Sequence, residues 1–153
     1  MNIAEFQTPH NLTLPAEYLK LLDSPRILGE FWFSVDGDPE YATPWALRSF
    51  QGLQKSCRIH GAGEEPFFRI LRLYALIEKE HSLMNGLPGD EKEVISFARF
   101  EKAFCIGEEN GDHLYLDVED DYSVWIYFHD GGDVSKVATS FDAWLNRTSP
   151  EPP

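Results

Sequence analysis

Cysteine is scarce: Cys57 and Cys105 are the two in 153 residues. They do not form a spaced ligand pair, which excludes a disulfide scaffold and a cysteine-based zinc site. Cys105 sits in an apolar run and reads as a small buried hydrophobe. Basic residues are also scarce, 13 Lys and Arg against 26 Asp and Glu, for a formal net charge of −13. Neutralising phosphate needs Lys and Arg, so the charge argues against nucleic acid or an anionic membrane as a direct partner. It permits a basic protein partner, and equally it keeps a protein in solution. No apolar run is long enough to span a bilayer. The first twelve residues lack a basic stretch and an apolar run, so no signal peptide is expected and the reading is a reduced, cytoplasmic protein.

Chemistry-bearing motifs are thin as well. Gly61-Ala62-Gly63 is followed by two glutamates, which would repel phosphate. His60, His113 and His129 lack the spacing of a zinc site. His129-Asp130 has the composition of a catalytic dyad, but no Ser or Cys lies in a strand-turn-helix elbow as its nucleophile. A strand-end His bonded to backbone is the plainer reading. Asp36-Gly37-Asp38-Pro39-Glu40 lacks the further ligands of a calcium loop. Neither catalytic residues nor a cofactor or metal is expected.

What is present is aromatic and patterned. Aromatic residues make up 14% of the chain, enough to fill a core with few aliphatics. The organising stretch runs from Phe104 to Leu145. Asn110-Gly111 marks a turn. Leu114, Leu116 and Val118 alternate with polar and aromatic neighbours, as do Val124, Ile126 and Phe128, which predicts two strands. Strands over 113–118 and 122–128 are expected to pair through Glu119-Asp120-Asp121. A three-residue loop sets Leu116 opposite Val124 and Leu114 opposite Ile126, with Tyr115 beside Trp125 on the other face. That loop needs a left-handed residue, for which Asp is the candidate. Tyr115, Trp125 and Tyr127 then form a stripe, either covered by a helix or serving as an interface anchor. Ser140 caps a closing helix with Phe141, Trp144 and Leu145 on one face.

Elsewhere, residues 1 to 12 read as irregular, 15 to 23 as a short helix stopped by Ser24-Pro25, and 30 to 35 as a strand. Pro44 to Leu53 reads as a helix and Ser56 to Pro66 as a loop. The apolar spacing of Phe67, Ile70, Leu71 and Tyr74 fits strand and helix alike. Residues 85 to 90 read as a loop, and Val94 to Phe97 and Ala103 to Ile106 as short strands. The expectation is one domain over 1–153, ordered from about 13 to 147, with a proline-rich tail at 148–153.

Several of these signals occur in a familiar order. Leu14-Pro15-Ala16-Glu17-Tyr18, Ile106-Gly107, Gly111-Asp112, Phe128-His129-Asp130 and Ser140-Phe141-Asp142-Ala143-Trp144-Leu145 together resemble the SUKH family, also called SMI1/KNR4-like. The match is good at both ends and poor over 25–66. The resemblance implies an α+β fold, a mostly antiparallel sheet with helices packed on one side. It also implies a strand to Tyr74 and a helix from about Leu76 to Met84. In function it implies a non-enzymatic binding protein. Many bacterial members are immunity proteins that neutralise a cognate toxin, often a nuclease; fungal members look like regulatory or scaffolding modules. The partner-binding residues expected are acidic turn residues with one aromatic anchor: Glu108, Glu109, Asp112, Asp117, Glu119, Asp120, Asp121, Trp125 and Asp130, with Asp133 in the last of these turns. They are expected to form a negative patch on one rim of the sheet. The alternative is that they are solvated loop charge.

Overall fold

The structure is a computed structural model in which residues 2–24 and 30–153 are described. In chain order its elements begin with α1 (Ile3–Gln7), α2 (Ala16–Leu22), β1 (Glu30–Phe33), β2 (Thr43–Leu47) and α3 (Phe50–Gln54). A hairpin of β3 (Ser56–Ile59) and β4 (Gly63–Pro66) leads through a 3-10 turn to α4 (Leu71–His81). A second hairpin, β5 (Gly86–Pro88) and β6 (Val94–Ser96), leads into α5 (Phe97–Phe100). The chain closes with β7 (Phe104–Glu109), β8 (Asp112–Asp117), β9 (Ser123–Phe128), β10 (Asp133–Ala138) and α6 (Phe141–Asn146). Among the described residues, six strands form one antiparallel sheet in the order β1-β2-β7-β8-β9-β10. The fold is α+β.

The β8–β9 ladder has the expected register. Leu116 faces Val124, Leu114 faces Ile126 and Tyr115 faces Trp125. The ladder stops at Asp117 and Ser123, so the connection is wider than three residues. Asp121 (φ 51°) and Tyr122 (φ 59°) both take the left-handed conformation. Asp tolerates it well, while Tyr122 is held by the bond from its amide to the Asp117 carbonyl, 2.8 Å.

Both faces of the central strands are buried. Residues facing each other across a ladder share a face, so Phe104, opposite Leu116, lies with the aliphatic side chains. There it meets Tyr18 of α2 and Phe6 of α1. Tyr18 in turn packs on Phe141 of α6. On the opposite face, Phe100 of α5 packs edge-on to Tyr115, and Tyr74 of α4 lies against Tyr127. Helices therefore cover both faces, not one. Each fully buried aromatic here contributes about 1.5–3 kcal/mol of transfer free energy.

Six local expectations are corrected. Residues 3–7 form α1, capped by a reciprocal Asn2–Glu5 box, and carry the buried Phe6. The expected helix over Pro44–Leu53 is β2 followed by α3. Trp45 and Leu47 are buried while Ala46 is exposed, a strand alternation. Pro44 stands opposite Trp32 in the ladder to β1, but Trp32 gives its N–H and carbonyl to Ser149, and the ladder to β7 takes in only Ala46 and Leu47, so the missing N–H of Pro44 costs no ladder bond. The expected loop over 56–66 is the β3–β4 hairpin, whose exposed and charged strands lack an apolar signature. The expected strand to Tyr74 and helix from Leu76 are instead a 3-10 turn and α4. The 85–90 loop contains β5, and the strand over 94–97 ends at Ser96, whose side chain caps α5. In the expected stop at Ser24-Pro25, Pro25 lies outside the described residues; α2 ends at Leu22. The tail contributes Ser149, which exchanges two backbone hydrogen bonds with Trp32 on the outer edge of β1.

Candidate functional site

The acidic residues divide between two ends of the sheet. Successive turns of an antiparallel meander fall on opposite ends, and a six-residue strand separates them by roughly 20 Å. The β7–β8 and β9–β10 turns share one end, and the β8–β9 connection lies at the other. The expected single negative rim is therefore not formed.

At the β8–β9 end the carboxylates are used internally. Asp117 is only 2% exposed and accepts from Arg99 Nε at 2.7 Å. Burial raises its pKa, and the Arg99 guanidinium works against that rise. Glu119 pairs with Lys102 at 2.8 Å and Asp120 with Lys136 at 2.8 Å. Asp121 is exposed and serves the turn geometry. Trp125 is 2% exposed. Its indole N–H donates to Ser123 Oγ at 2.8 Å, and Arg99 lies over its ring at 5.3 Å. As folded, neither Trp125 nor Asp117 reaches a partner, and the aromatic stripe is covered. Two of its polar tips are satisfied in place, the Trp125 indole by Ser123 and the Tyr127 hydroxyl by donating to Glu78 at 2.8 Å, while the buried Tyr115 hydroxyl has no partner among the described residues.

The opposite end is different, because the sheet order brings the β1–β2 loop beside the β7–β8 turn. A cleft of about 270 Å³ opens there, with Thr43, Trp45 and Phe128 along its wall and Val35, Asp36, Tyr41, Glu109 and Asp112 around it. Among the described residues, no Lys or Arg lines it. Asp36 accepts from Ser34 Oγ at 2.6 Å and from the Asp38 amide at 3.0 Å, and the Ser34 bond leads in lowering its pKa. Burial, then the Asp112 charge, raises the pKa of Glu109. Asp112 accepts from the His129 amide and ring Nδ1, both through Oδ1, at 3.1 and 2.7 Å. His129 Nε2 lies 3.1 Å from Asp130. Those carboxylates, the Asp112 bond first, raise the imidazole pKa, because they favour its charged form. Glu108 is held by Arg48 at 2.7 Å, and Asp133 sits at the start of β10.

Val35, Asp36, Tyr41, Thr43 and Trp45 were not singled out from sequence as site residues. The one signal there was the Asp36-Gly37-Asp38-Pro39 turn, and nothing in it reveals that β2 pairs with β7. His113 is buried between Phe67 and Tyr74, with ring centroids 6.1 and 5.1 Å away, and burial lowers its pKa to about 4. His60 lies in the β3–β4 turn, Cys57 is half-buried, and burial pushes the Cys105 thiol pKa far up. Among the described residues, no three of His, Cys, Asp and Glu come together to hold a metal ion, and no helix is long and apolar enough to cross a membrane.

These features define an acidic α+β protein with an antiparallel sheet clad on both faces and a negatively charged cleft at one end. Residues 2–147 match the SMI1/KNR4 family (SUKH-1), and the chain belongs to that family. No curated protein and no solved structure matches it. The residues that carried the resemblance are largely structural. Tyr18 and Phe141 pack on each other, Ser140 caps α6, and Gly107 sits where β2 crosses a bulge in β7.

Proposed function

We propose that this chain is a non-enzymatic immunity protein that binds and neutralises a cognate protein toxin in the cytoplasm. Membership of the SMI1/KNR4 family over residues 2–147 is the observation that carries this reading. Two features support it. The net charge of −13 suits capture of a basic protein such as a nuclease, by steering of the encounter. The His129 ring is bonded through Nδ1 to Asp112, with Nε2 lying 3.1 Å from Asp130, an arrangement suited to organising a turn. A regulatory scaffold is the competing role, and co-expression separates the two. The chain, co-expressed with a product of a neighbouring gene that by itself arrests growth, should restore growth and co-purify with that product. Growth arrest that persists despite full expression of the folded chain sinks the proposal. So does hydrolase turnover by the purified chain that disappears in a folded His129→Ala variant.

A further inference from the structure

We propose that the pocket between residues 10–12, the 3-10 turn Phe67–Arg69 and the start of β7 binds a small monocarboxylic acid through Arg69 and His10. This ligand is separate from the toxin partner and needs none of the acidic turns.

The pocket holds an unmatched guanidinium. Arg48, Arg58, Arg72 and Arg99 each reach a carboxylate, and Arg147 donates to the Val137 carbonyl. Arg69 alone among the described arginines has no acceptor, in a chain where Asp and Glu outnumber Lys and Arg by 26 to 13. Its half-buried guanidinium lines the pocket, 5.4 Å from the centre of the Phe68 ring. Burial, then the Arg72 charge, draws its pKa below the usual arginine value, and the Glu65 charge opposes them. The cation is thus partly desolvated without a bound counter-charge.

His10 is the second unmatched group. Its ring packs on Phe6 and Phe68, with centroids 5.0 and 5.1 Å away, and neither ring nitrogen has a hydrogen-bond partner among the described residues. Burial, then the Arg69 charge, lowers its pKa, so near pH 7 the ring is neutral and offers one N–H donor.

Charge and size then select the ligand. Lys102 and Glu119 also line the pocket, but they pair with each other at 2.8 Å and cancel. One positive charge, that of Arg69, is left to be matched. A carboxylate matches it, and the planar guanidinium fork grips a carboxylate with two parallel bonds. A phosphate dianion would set a second negative charge against Glu119. The volume, about 310 Å³, lies at the lower end of the roughly 300–1,000 Å³ of small-molecule sites. Half-buried Leu12 and Val118 give the acid an apolar surface for its body.

The test is a heteronuclear NMR titration of the intact chain near pH 7 with benzoate, benzamide and inorganic phosphate. Benzoate should give saturable shifts of the Arg69 side-chain Nε–H and of the His10, Leu12 and Ala103 amides. Benzamide has the same shape without the charge and should bind about tenfold more weakly or worse. Phosphate should bind more weakly than benzoate. Arg69→Gln should weaken benzoate about tenfold or more, and Arg69→Lys, which keeps the charge and loses the fork, should recover part of that loss. Arg58→Gln, in the β3–β4 hairpin, should change nothing. An Arg69 Nε–H that does not shift, benzamide binding as tightly as benzoate, or phosphate binding more tightly overturns the proposal. So does a folded Arg69→Gln variant with the affinity of the wild type. If that variant does not fold, the comparison of benzoate with benzamide on the wild type decides. No toxin enters the assay, so its outcome and that of the co-expression test are independent.

Discussion

Lowering the pH should weaken this fold through a single buried imidazole. His113 is 3% exposed, wedged between Phe67 and Tyr74, and its Nδ1 has no partner among the described residues. Burial depresses its pKa from 6.5 to about 4, against the opposing pull of Glu108 and Asp112. The unfolded chain therefore takes up a proton that the folded chain refuses. Stability falls as pH drops through the window from 6.5 to about 4 and is retained above it. At about pH 5 the ratio of proton-binding terms in the unfolded and folded states is about thirtyfold, or about 2 kcal/mol. That is a large share of the roughly 5–15 kcal/mol that holds a typical domain together. Urea unfolding followed by tryptophan fluorescence, near pH 7.5 and near pH 5, measures the loss. His113→Phe removes the titrating group, so the wild type should lose about 2 kcal/mol more than the variant between the two conditions. Equal losses in both proteins, or a His113 ring that titrates near 6.5 by NMR, would refute the reasoning.

Arg99→Ala should destabilise the fold by about 3–5 kcal/mol in urea unfolding, because it strands the buried Asp117 carboxylate; a loss under about 1 kcal/mol counts against that pairing. Gly107→Ala should cost about 1–3 kcal/mol, since its Cβ would sit 2.6 Å from the Ala46 carbonyl and 2.8 Å from Leu47 Cδ2. Hydrogen exchange should show β2 loosening first, because only two residue pairs tie it to β7. Asp112→Asn should bring the raised His129 pKa back down, read by NMR titration. The stabilising bond to Asp112 is present below the ordinary imidazole pKa and fades as pH rises through the raised value, so the difference between wild type and variant should shrink at high pH. A His129 titration indifferent to this change would mean that Asp112 does not hold the ring.

The amino-acid sequence by itself determined the elements whose signals are local. The period-two runs from His113 to Phe128 specify two strands, and their apolar match specifies the register with Leu116 on Val124. Ser140, Phe141 and Trp144 specify a capped amphipathic helix, and the ordered motifs at both ends point to the SMI1/KNR4 family. Short elements were not legible in this way. The five residues of α1 and the exposed strands β3 and β4 are too brief or too polar to show a period. The same limit applies to β2, where the spacing of Trp45, Leu47 and Phe50 fits a helix until Trp45 and Leu47 are buried on a sheet. Only the tertiary structure decided which charges meet. Sequence spacing groups the acidic turns into one run, yet an antiparallel meander sends alternate turns to opposite ends, so Asp117 to Asp121 part from Glu109 and Asp112. The pairing of β2 with β7, some sixty residues apart, then carries Asp36, Tyr41 and Trp45 to the β7–β8 turn. Such a pairing is set by long-range packing on a shared core, which no local pattern of residues encodes.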